Sequence, residues 1–356
     1  SVSGTYKGIV KRMHNSLRPQ NHMVIECDFK QTKVQSFAPL DWQSATRQEC
    51  VDFVKNAGIV GLGGAGFPTY VKYMKPDGVD YVLINAVECE PYITADYRSV
   101  MDDAQDLVTG AKIMKKMAEA KTVYICIKES HPDLIEKVKS ALTDAAGVEV
   151  YPVPDVYPMG WERVLVREVL HKEYGGLPAE AGAIIGNASS AIAIAKAFEK
   201  GEAITQKNLT VSGECVKDPH NVCVPVGMPV SEIIEACGGY TQDTVRLISG
   251  GPMMGKTIVN DIFVFDRAMN ALTVLPAAND DAIACLRCGK CSDHCPSGLQ
   301  PVRITAALKA NDVDEMSKRG VMSCIECGMC TYICPSHIDV TENVRKAKRI
   351  VMLKKK

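Results

Sequence analysis

The chain has 356 residues, of which 46% are hydrophobic and 23% are charged, and its formal net charge is −1. This length suits two or three domains, and the near-neutral charge gives no reason to expect nucleic acid or an acidic ligand as a partner. No apolar stretch is long enough to cross a bilayer, so any membrane attachment would have to go through partner subunits.

Residues 1–36 read as two short β segments, SVSGTYKGIVKR and HMVIECDF, joined by a polar connection. Two strands are too few to bury a hydrophobic core. We therefore expect them to be the final hairpin of a small β domain that begins outside this sequence.

Helical and strand patterns alternate through residues 37–205. Helices are predicted at Gln48–Ala57, Val100–Ala120 and His131–Ala145, and strands at Tyr81–Ala86, Lys121–Ile127 and Val148–Val153. Such alternation predicts an α/β domain with a mostly parallel sheet covered by helices. Ligands of such sheets bind at the carboxyl ends of the strands.

A glycine-rich loop opens this domain. The segment GIVGLGGAGFPTYVKY, residues 58–73, places five glycines in nine residues. This composition lets a backbone approach a flat or anionic group closely, and Pro68 suits the first turn of a following helix. Taken alone the loop is only a weak dinucleotide-binding signal, because no strong strand precedes it.

Residues 206–276 change character to short strands, one helix and several glycine turns, which predicts a small α+β unit. Ser231 is the expected N-cap of its helix and Gly238 the expected stop. This unit could bind a ligand, but we expect it to pack the α/β domain against the domain that follows.

Residues 277–345 contain the spacing CxxCxxCxxxCP twice, at 285–296 and 324–335, with helices predicted at Val302–Ala310 and Asp314–Arg319. In two-cluster ferredoxins three cysteines of each run hold one 4Fe-4S cluster, and the fourth holds the other cluster. Structural zinc is the alternative for paired CxxC motifs. The predicted ligands are Cys285, Cys288, Cys291 and Cys334 for one cluster, and Cys324, Cys327, Cys330 and Cys295 for the other.

The chain has fifteen cysteines, and seven lie outside these two runs. Iron–sulfur clusters need a reducing compartment, so most of the seven are expected to be buried thiols rather than disulfides. Residues 346–356 form a basic tail that we expect to be a frayed, solvated helix end.

The glycine loop together with NAVECEP, residues 85–91, resembles the FMN-binding subunit of respiratory complex I. A closer resemblance is to the RnfC family, whose members are the NADH-side subunit of the Rnf ferredoxin:NAD oxidoreductase. That family shows five motifs in the order found here, at residues 61–69, 84–94, 157–160, 247–255 and 285–335. The resemblance implies a biotinyl-lipoyl-like hairpin at 1–36, an FMN- and NADH-binding domain at 37–205, an SLBB β-grasp unit at 206–276 and an α-helical two-cluster ferredoxin domain at 277–345.

The resemblance also implies a noncovalent FMN site and a neighbouring NAD(H) site. Its residues are Gly61, Gly63, Gly64, Gly66, Lys72, Asn85, Glu88, Glu90 and Asn187 toward FMN and the nicotinamide ribose, and Gly160, Trp161 and Glu162 toward the nucleotide. Trp161 departs from the family, which usually has glycine there. Its indole could stack on a nucleotide base or fill the slot.

The function implied by the resemblance is hydride exchange between NAD(H) and FMN, followed by single-electron transfer through two 4Fe-4S clusters. The expected partners are other electron-transfer subunits or a downstream reductase, with ferredoxin or flavodoxin as further candidates. The expected location is cytoplasmic, or peripheral at the cytoplasmic face of the inner membrane. The alternative is a soluble relative, similar to PrdC or PduS, that feeds a reductase without direct NADH chemistry.

Overall fold

The computed structural model describes residues 2–14, 18–32, 34–277 and 281–354. The chain divides into two compact units. The first unit comprises Ser1–Gly251 with Lys256–Pro276, and the second comprises Pro252–Gly255 with Ala277–Lys356. Within the described ranges no helix has the length and apolarity that a membrane span requires.

The predicted N-terminal hairpin is present. Strands β1 (Gly4–Met13) and β2 (Pro19–Cys27) pair antiparallel, with a register shift between Tyr6 and Gly8. Most residues of both strands are exposed. The assignment of this hairpin to a biotinyl-lipoyl-like domain stays a prediction.

The α/β domain holds a four-stranded parallel sheet, which confirms the predicted fold. Its strands are β3 (Tyr81–Ala86), β4 (Thr122–Lys128), β5 (Val148–Val153) and β6 (Ala183–Asn187), in the spatial order β5-β4-β3-β6. Its helices are α1 (Arg47–Asn56), α2 (Ala95–Asp102), α3 (Ala104–Ala118), α4 (Pro132–Ala141), α5 (Glu162–Leu170) and α6 (Ala188–Lys200), with short 3-10 helices at Thr69–Tyr73 and Pro178–Ala181.

One predicted helix is divided in the structure. The pattern predicted a single helix over Val100–Ala120, whereas α2 and α3 meet at Asp103. The Asp103 amide closes α2 by donating to the Ser99 carbonyl, and its carboxylate accepts from Lys196 Nζ at 2.6 Å. A side chain that is bonded to another helix fixes the break, and this partner lies far away in sequence.

The small α+β unit is a five-stranded sheet. Its strands are β7 (Gln206–Ser212), β8 (His220–Pro225), β9 (Val245–Ser249), β10 (Lys256–Ile258) and β11 (Ala271–Pro276), in the order β10-β9-β11-β7-β8, with helix α7 (Val230–Ala236). The predicted N-cap Ser231 is wrong, because α7 begins at Val230 and Pro229 occupies the cap in an extended conformation. Gly238 does follow the helix, with φ of +82°.

The α+β unit packs directly on the α/β domain. Thr210 Oγ1 accepts from the Thr94 amide at 3.0 Å, and Ser212 Oγ donates to the Tyr92 carbonyl at 2.7 Å. Both contacts join β7 to the loop that leads into α2. The sheet therefore supports the edge of the α/β domain where the predicted site residues lie.

The second unit contains five helices among its described residues. They are α8 (Lys290–Asp293), α9 (Pro301–Lys309), α10 (Val313–Lys318), α11 (Met329–Tyr332) and α12 (Val340–Lys354), with a 3-10 turn at Val321–Ser323. Residues 346–354, expected to be a frayed tail, instead continue α12. Val344, Ala347 and Val351 repeat at helical spacing and are buried, so this stretch belongs to the core of the unit.

Candidate functional site

The residues predicted to bind FMN and the nucleotide lie at the carboxyl edge of the parallel sheet, beside the central strand β3. After β3 the chain adds β4 and β5 on one side and then returns to place β6 on the other side. This reversal is a topological switch point, where the loops separate and leave a crevice. Asn85 and Asn187 are neighbours across it, in register at the ends of β3 and β6.

The glycine loop lies at this crevice with several amides left open. The Gly61 amide donates to the Phe67 carbonyl at 2.8 Å, and the Leu62 amide donates to Ser190 Oγ at 2.9 Å. Within the described residues, the amides of 63–66 donate no hydrogen bond of normal geometry, although residues 62–65 form a turn. A run of unpaired N–H groups is a binding surface for an anionic group such as a phosphate.

Two glycines of the loop are required by its geometry. A Cβ on Gly63 would lie 2.9 Å from Asn187 Nδ2, closer than Cβ atoms normally approach, and Asn187 is itself held by hydrogen bonds to Asp96 and Ser190. Gly64 has φ of +118°, a conformation that other residues rarely adopt. The helix predicted after Pro68 is only the 3-10 turn Thr69–Tyr73, because Pro76 follows shortly after it and disfavours continued helix.

Lys72 joins the loop to two other parts of the site. Its Nζ donates to the Ile185 carbonyl of β6 at 2.8 Å and forms an ion pair with Glu162 Oε1 at 3.1 Å. Glu162 is the first residue of α5 and is preceded by Trp161, whose carbonyl accepts from the Leu165 amide at 2.9 Å. A cation is therefore held in place at the crevice.

Asn85 ties the end of β3 to the YPMG segment. Its Nδ2 donates to the Gly160 carbonyl at 2.7 Å, and its Oδ1 accepts from the Val87 amide at 3.1 Å. The Gly160 amide in turn donates to Cys89 Sγ at 3.2 Å. Burial raises the pKa of the Cys89 thiol to about 11, so it remains a neutral thiol at physiological pH.

Glu88 holds the backbone of α2. Its two carboxylate oxygens accept from the Asp96 and Tyr97 amides, each at 2.9 Å, which satisfies two of the open amides in the first turn of the helix. Burial first, and the neighbouring Asp96 charge second, raise the pKa of Glu88 to about 8. Glu90 packs against Gly251, where a Cβ would lie 2.1 Å from Glu90 Cγ.

Asp96 and Ser189, which lie outside the predicted site residues, belong to the same network. Asn187 caps α6, and its Nδ2 donates to Asp96 Oδ2 at 2.6 Å while Ser189 Oγ donates to Asp96 Oδ1 at 2.5 Å. The available signal was the acidic residue in the first turn after the ECEP segment. Asp96 connects the ends of β3 and β6 through α2.

The cysteine runs fold as a structural repeat, as their sequence repeat predicts. Arg287 and Glu326, 39 residues apart in sequence, both have positive φ, and their amides donate to Cys285 Sγ and Cys324 Sγ at 3.4 Å each. The short helices α8 and α11 follow in equivalent places, each preceded by a glycine with positive φ. The same turn therefore presents the first three thiols of both runs.

The four thiols predicted for one cluster share a cavity. Cys324, Cys327 and Cys330 line it together with Cys295, which comes from the other run. This grouping matches the exchange of fourth ligands that the spacing predicts, and four thiols suit a 4Fe-4S cluster. Of the other set, Cys285 and Cys288 are exposed, while Cys291 and Cys334 are half-buried. Among the described residues no three His, Cys, Asp or Glu side chains are placed to hold a single metal ion.

Most of the cysteines outside the two runs have the predicted environment. Cys50, Cys126, Cys215 and Cys237 are buried, Cys27 and Cys89 are half-buried, and Cys223 is exposed. All seven are free thiols.

Three family models match the chain. The model described as the Nuo51 FMN-binding domain matches residues 54–196, the SLBB domain matches 208–257, and the 4Fe-4S dicluster domain matches 277–335. These matches confirm the predicted fold classes, the FMN-binding domain and the pair of 4Fe-4S clusters. The structural-zinc alternative receives no support from them.

Curated relatives align along most of the chain. The RnfC subunit of the Na⁺-translocating ferredoxin:NAD⁺ oxidoreductase complex of Acetobacterium woodii is 35% identical over 100% of this chain and 82% of its own length. The RnfC subunit of the proton-translocating complex of Clostridium ljungdahlii is 35% identical over 85% of this chain and 67% of its own length. The corresponding subunit of the ion-translocating oxidoreductase complex of Rhodobacter capsulatus is 36% identical, and the match spans 56% of that protein.

A solved structure shares the fold. The crystal structure of an NAD⁺-reducing [NiFe]-hydrogenase in the H₂-reduced state matches with a TM-score of 0.59 at 15% identity. The match covers 90% of this chain and 64% of the hydrogenase chain.

Proposed function

The chain belongs to the RnfC family of subunits of ion-translocating oxidoreductase complexes, and on that premise we propose that it is an NADH-dependent electron-transfer subunit. In this proposal it exchanges hydride with NAD(H) at FMN and passes single electrons through two 4Fe-4S clusters. The named relatives are subunits of ferredoxin:NAD⁺ oxidoreductases, which supports NAD(H) at one end of the path and ferredoxin at the other.

The observation that carries the proposal is the convergence of the predicted site residues at one switch point. Open amides at 63–66, the Lys72 ammonium and the Asn85 and Asn187 amides all lie along the same sheet edge. Bound FMN would supply the chemistry that couples a two-electron donor to one-electron clusters. The open amides and Lys72 would hold its phosphate, and Asn85 and Asn187 would orient it.

The individual site residues are part of the proposal. Gly61, Gly63, Gly64 and Gly66 give the loop its shape, and Gly160, Trp161 and Glu162 would border the nucleotide slot beside Asn85. Glu88 and Glu90 would act from behind this surface, because Glu88 caps α2 and Glu90 packs on Gly251.

We further propose that the electron partners are other subunits of the same complex, with ferredoxin as the small carrier. In this arrangement the protein attaches to the cytoplasmic face of the inner membrane through those subunits. The relatives are named as parts of ion-translocating complexes, which supports this placement.

The proposal is tested by flavin content and by NADH-dependent bleaching of the flavin band in anaerobically purified, cluster-loaded protein. We expect wild-type protein to carry FMN that NADH bleaches. Gly63→Val should lose FMN and keep its iron, because the new side chain would collide with Asn187. Gly175→Val is the matched control, since that glycine is exposed and has room for a Cβ.

Two results would count against the proposal. Full FMN occupancy in Gly63→Val would refute the loop assignment. Flavin that dithionite bleaches but NADH does not would refute direct NADH chemistry and favour the alternative of a carrier that feeds a reductase.

A further inference from the structure

A buried lysine of the SLBB unit reaches the glycine loop. Lys207 lies on β7 and is 7% exposed. Burying an ammonium group costs free energy unless its hydrogen bonds are satisfied. Its Nζ donates to three backbone carbonyls, those of Met269 at 2.8 Å, Arg267 at 3.4 Å and Leu62. The three acceptors match the three hydrogens of the ammonium group.

Leu62 is the residue that begins the open part of the glycine loop. Its amide is bonded to Ser190 Oγ of the α/β domain, and its carbonyl is bonded to Lys207 of the SLBB unit. Both the amide and the carbonyl of Leu62 are therefore held by hydrogen bonds. The amides that follow it, at 63–66, donate no hydrogen bond of normal geometry within the described residues.

The charge of Lys207 also acts on the next peptide group. A cation bonded to the Leu62 carbonyl polarises the Leu62–Gly63 peptide, and this makes the Gly63 N–H a stronger donor. That N–H is the first of the open run. A positive charge behind the loop thus favours an anion in front of it.

We propose that Lys207 is a positioning residue of the FMN site, which holds the glycine loop in the conformation that accepts the flavin phosphate. The inference rests on the proposed function, because it presupposes that the loop binds FMN. It assigns to the SLBB unit a direct part in cofactor binding, in addition to its packing against the α/β domain.

The surroundings of Lys207 give this role a pH dependence. Burial lowers the pKa of Lys207 to about 8, against the opposing effect of the Asp96, Asp266 and Glu88 carboxylates that face it. Asp266 is itself paired with His14 Nε2 at 3.5 Å. The ammonium is charged below pH 8 and becomes neutral above it, so FMN affinity should fall as the pH rises through 8.

The test compares Lys207→Met, Lys207→Gln and wild type in FMN and riboflavin binding to flavin-stripped full-length protein, followed by flavin fluorescence at pH 7. Riboflavin carries the same ring without the phosphate. We expect Lys207→Met to weaken FMN binding at least about tenfold, as for loss of one charged hydrogen bond, and to change riboflavin binding less than about twofold. Lys207→Gln keeps a donor without the charge and should fall between.

Lys217→Met is the matched control, because Lys217 is an exposed lysine of the same unit. It should bind both flavins as wild type does. FMN affinity within twofold of wild type in Lys207→Met would overturn the inference. So would an equal loss of riboflavin and FMN, which would show a general disturbance of the site.

Wild-type protein alone provides a second test that does not depend on how the variants fold. Its FMN affinity should fall between pH 7 and pH 9.5 while its riboflavin affinity stays constant. A flat FMN profile would overturn the inference, as would the same profile in Lys207→Met, since Glu88 would then be its source. Wild-type protein that binds no FMN at any pH would refute the proposed function itself.

Discussion

Individual polar side chains at the site form hydrogen bonds with the protein's own backbone. Glu88 bonds two helix amides, Lys207 bonds three carbonyls, and Asn85 bonds one donor and one acceptor of the chain. Such bonds fix the loops around the crevice in advance. The pre-formed geometry costs stability, because two of these groups, Glu88 and Lys207, are ionisable groups taken out of water.

The cost of burying Glu88 can be measured as a pH dependence of the unfolding free energy. Its pKa is raised from 4.5 to about 8 in the folded protein, so between these values the folded state holds a proton that the unfolded chain has released. Stability present below pH 4.5 is therefore lost as the pH rises to 8. Glu88→Gln should remove this slope, which is on the order of 2–4 kcal/mol between pH 5 and pH 8.

Urea unfolding at pH 5, 6.5 and 8 measures the slope. Glu149→Gln, at an exposed glutamate of the same domain, serves as control and should follow wild type. If Glu88→Gln lost stability with pH as steeply as wild type, the buried carboxyl would not be the source.

Helix α6, which Asn187 caps, packs closely against α3 at one point. Gly110 of α3 lies against α6, where a Cβ would stand 2.0 Å from the Ala191 carbonyl oxygen. Because that oxygen is backbone, Gly110→Ala must push the two helices apart. We expect a net loss of about 1–3 kcal/mol in unfolding free energy, although alanine is the better helix former.

Denaturant unfolding of Gly110→Ala beside Gln105→Ala checks this expectation. Gln105 is exposed on the same helix, so its replacement should leave stability nearly unchanged. A Gly110→Ala protein as stable as wild type would show that α3 and α6 can separate freely. Since Asn187 begins α6, a shift of this helix should also lower FMN affinity.

Local sequence patterns predicted the elements that are continuous and buried. The strands Tyr81–Ala86 and Val148–Val153 have the predicted bounds, because YVLINA is a short, largely apolar run and VEVYPV is rich in valine and tyrosine, and each lies between clear breaks. The division at Asp103 could not be predicted, since it depends on Lys196 of another helix. Patterns within a window carry no information about such a distant partner.

The same reason explains which site residues were found. The glycine loop, Asn85 and the cysteine runs have distinctive spacings, so a single sequence reveals them. Lys207 lies in an ordinary strand, and its partner Leu62 is 145 residues away. Only the assembled fold shows that this lysine supports the loop.

At the scale of the whole molecule, the two compact units differ in how much core they possess. Among the described residues, the main core of the first unit contains 32 buried residues, whereas that of the second contains nine. Half-buried cysteines of the predicted cluster ligands, including Cys295 and Cys334, pack against this smaller core. Helices α8 and α11 have four residues each, which is too short for independent stability.

Iron should therefore stabilise the second unit selectively, because ligand binding adds to the folding free energy of the part that forms the site. We expect removal of iron to abolish hydrogen-exchange protection in peptides covering α8 to α12. Peptides covering β3 to β6 should keep their protection and serve as the internal control. Hydrogen–deuterium exchange of the full chain, with and without iron, measures both in one sample. Equal loss in the two units would show that they unfold together, and no loss in α8 to α12 would show that the nine-residue core suffices without clusters.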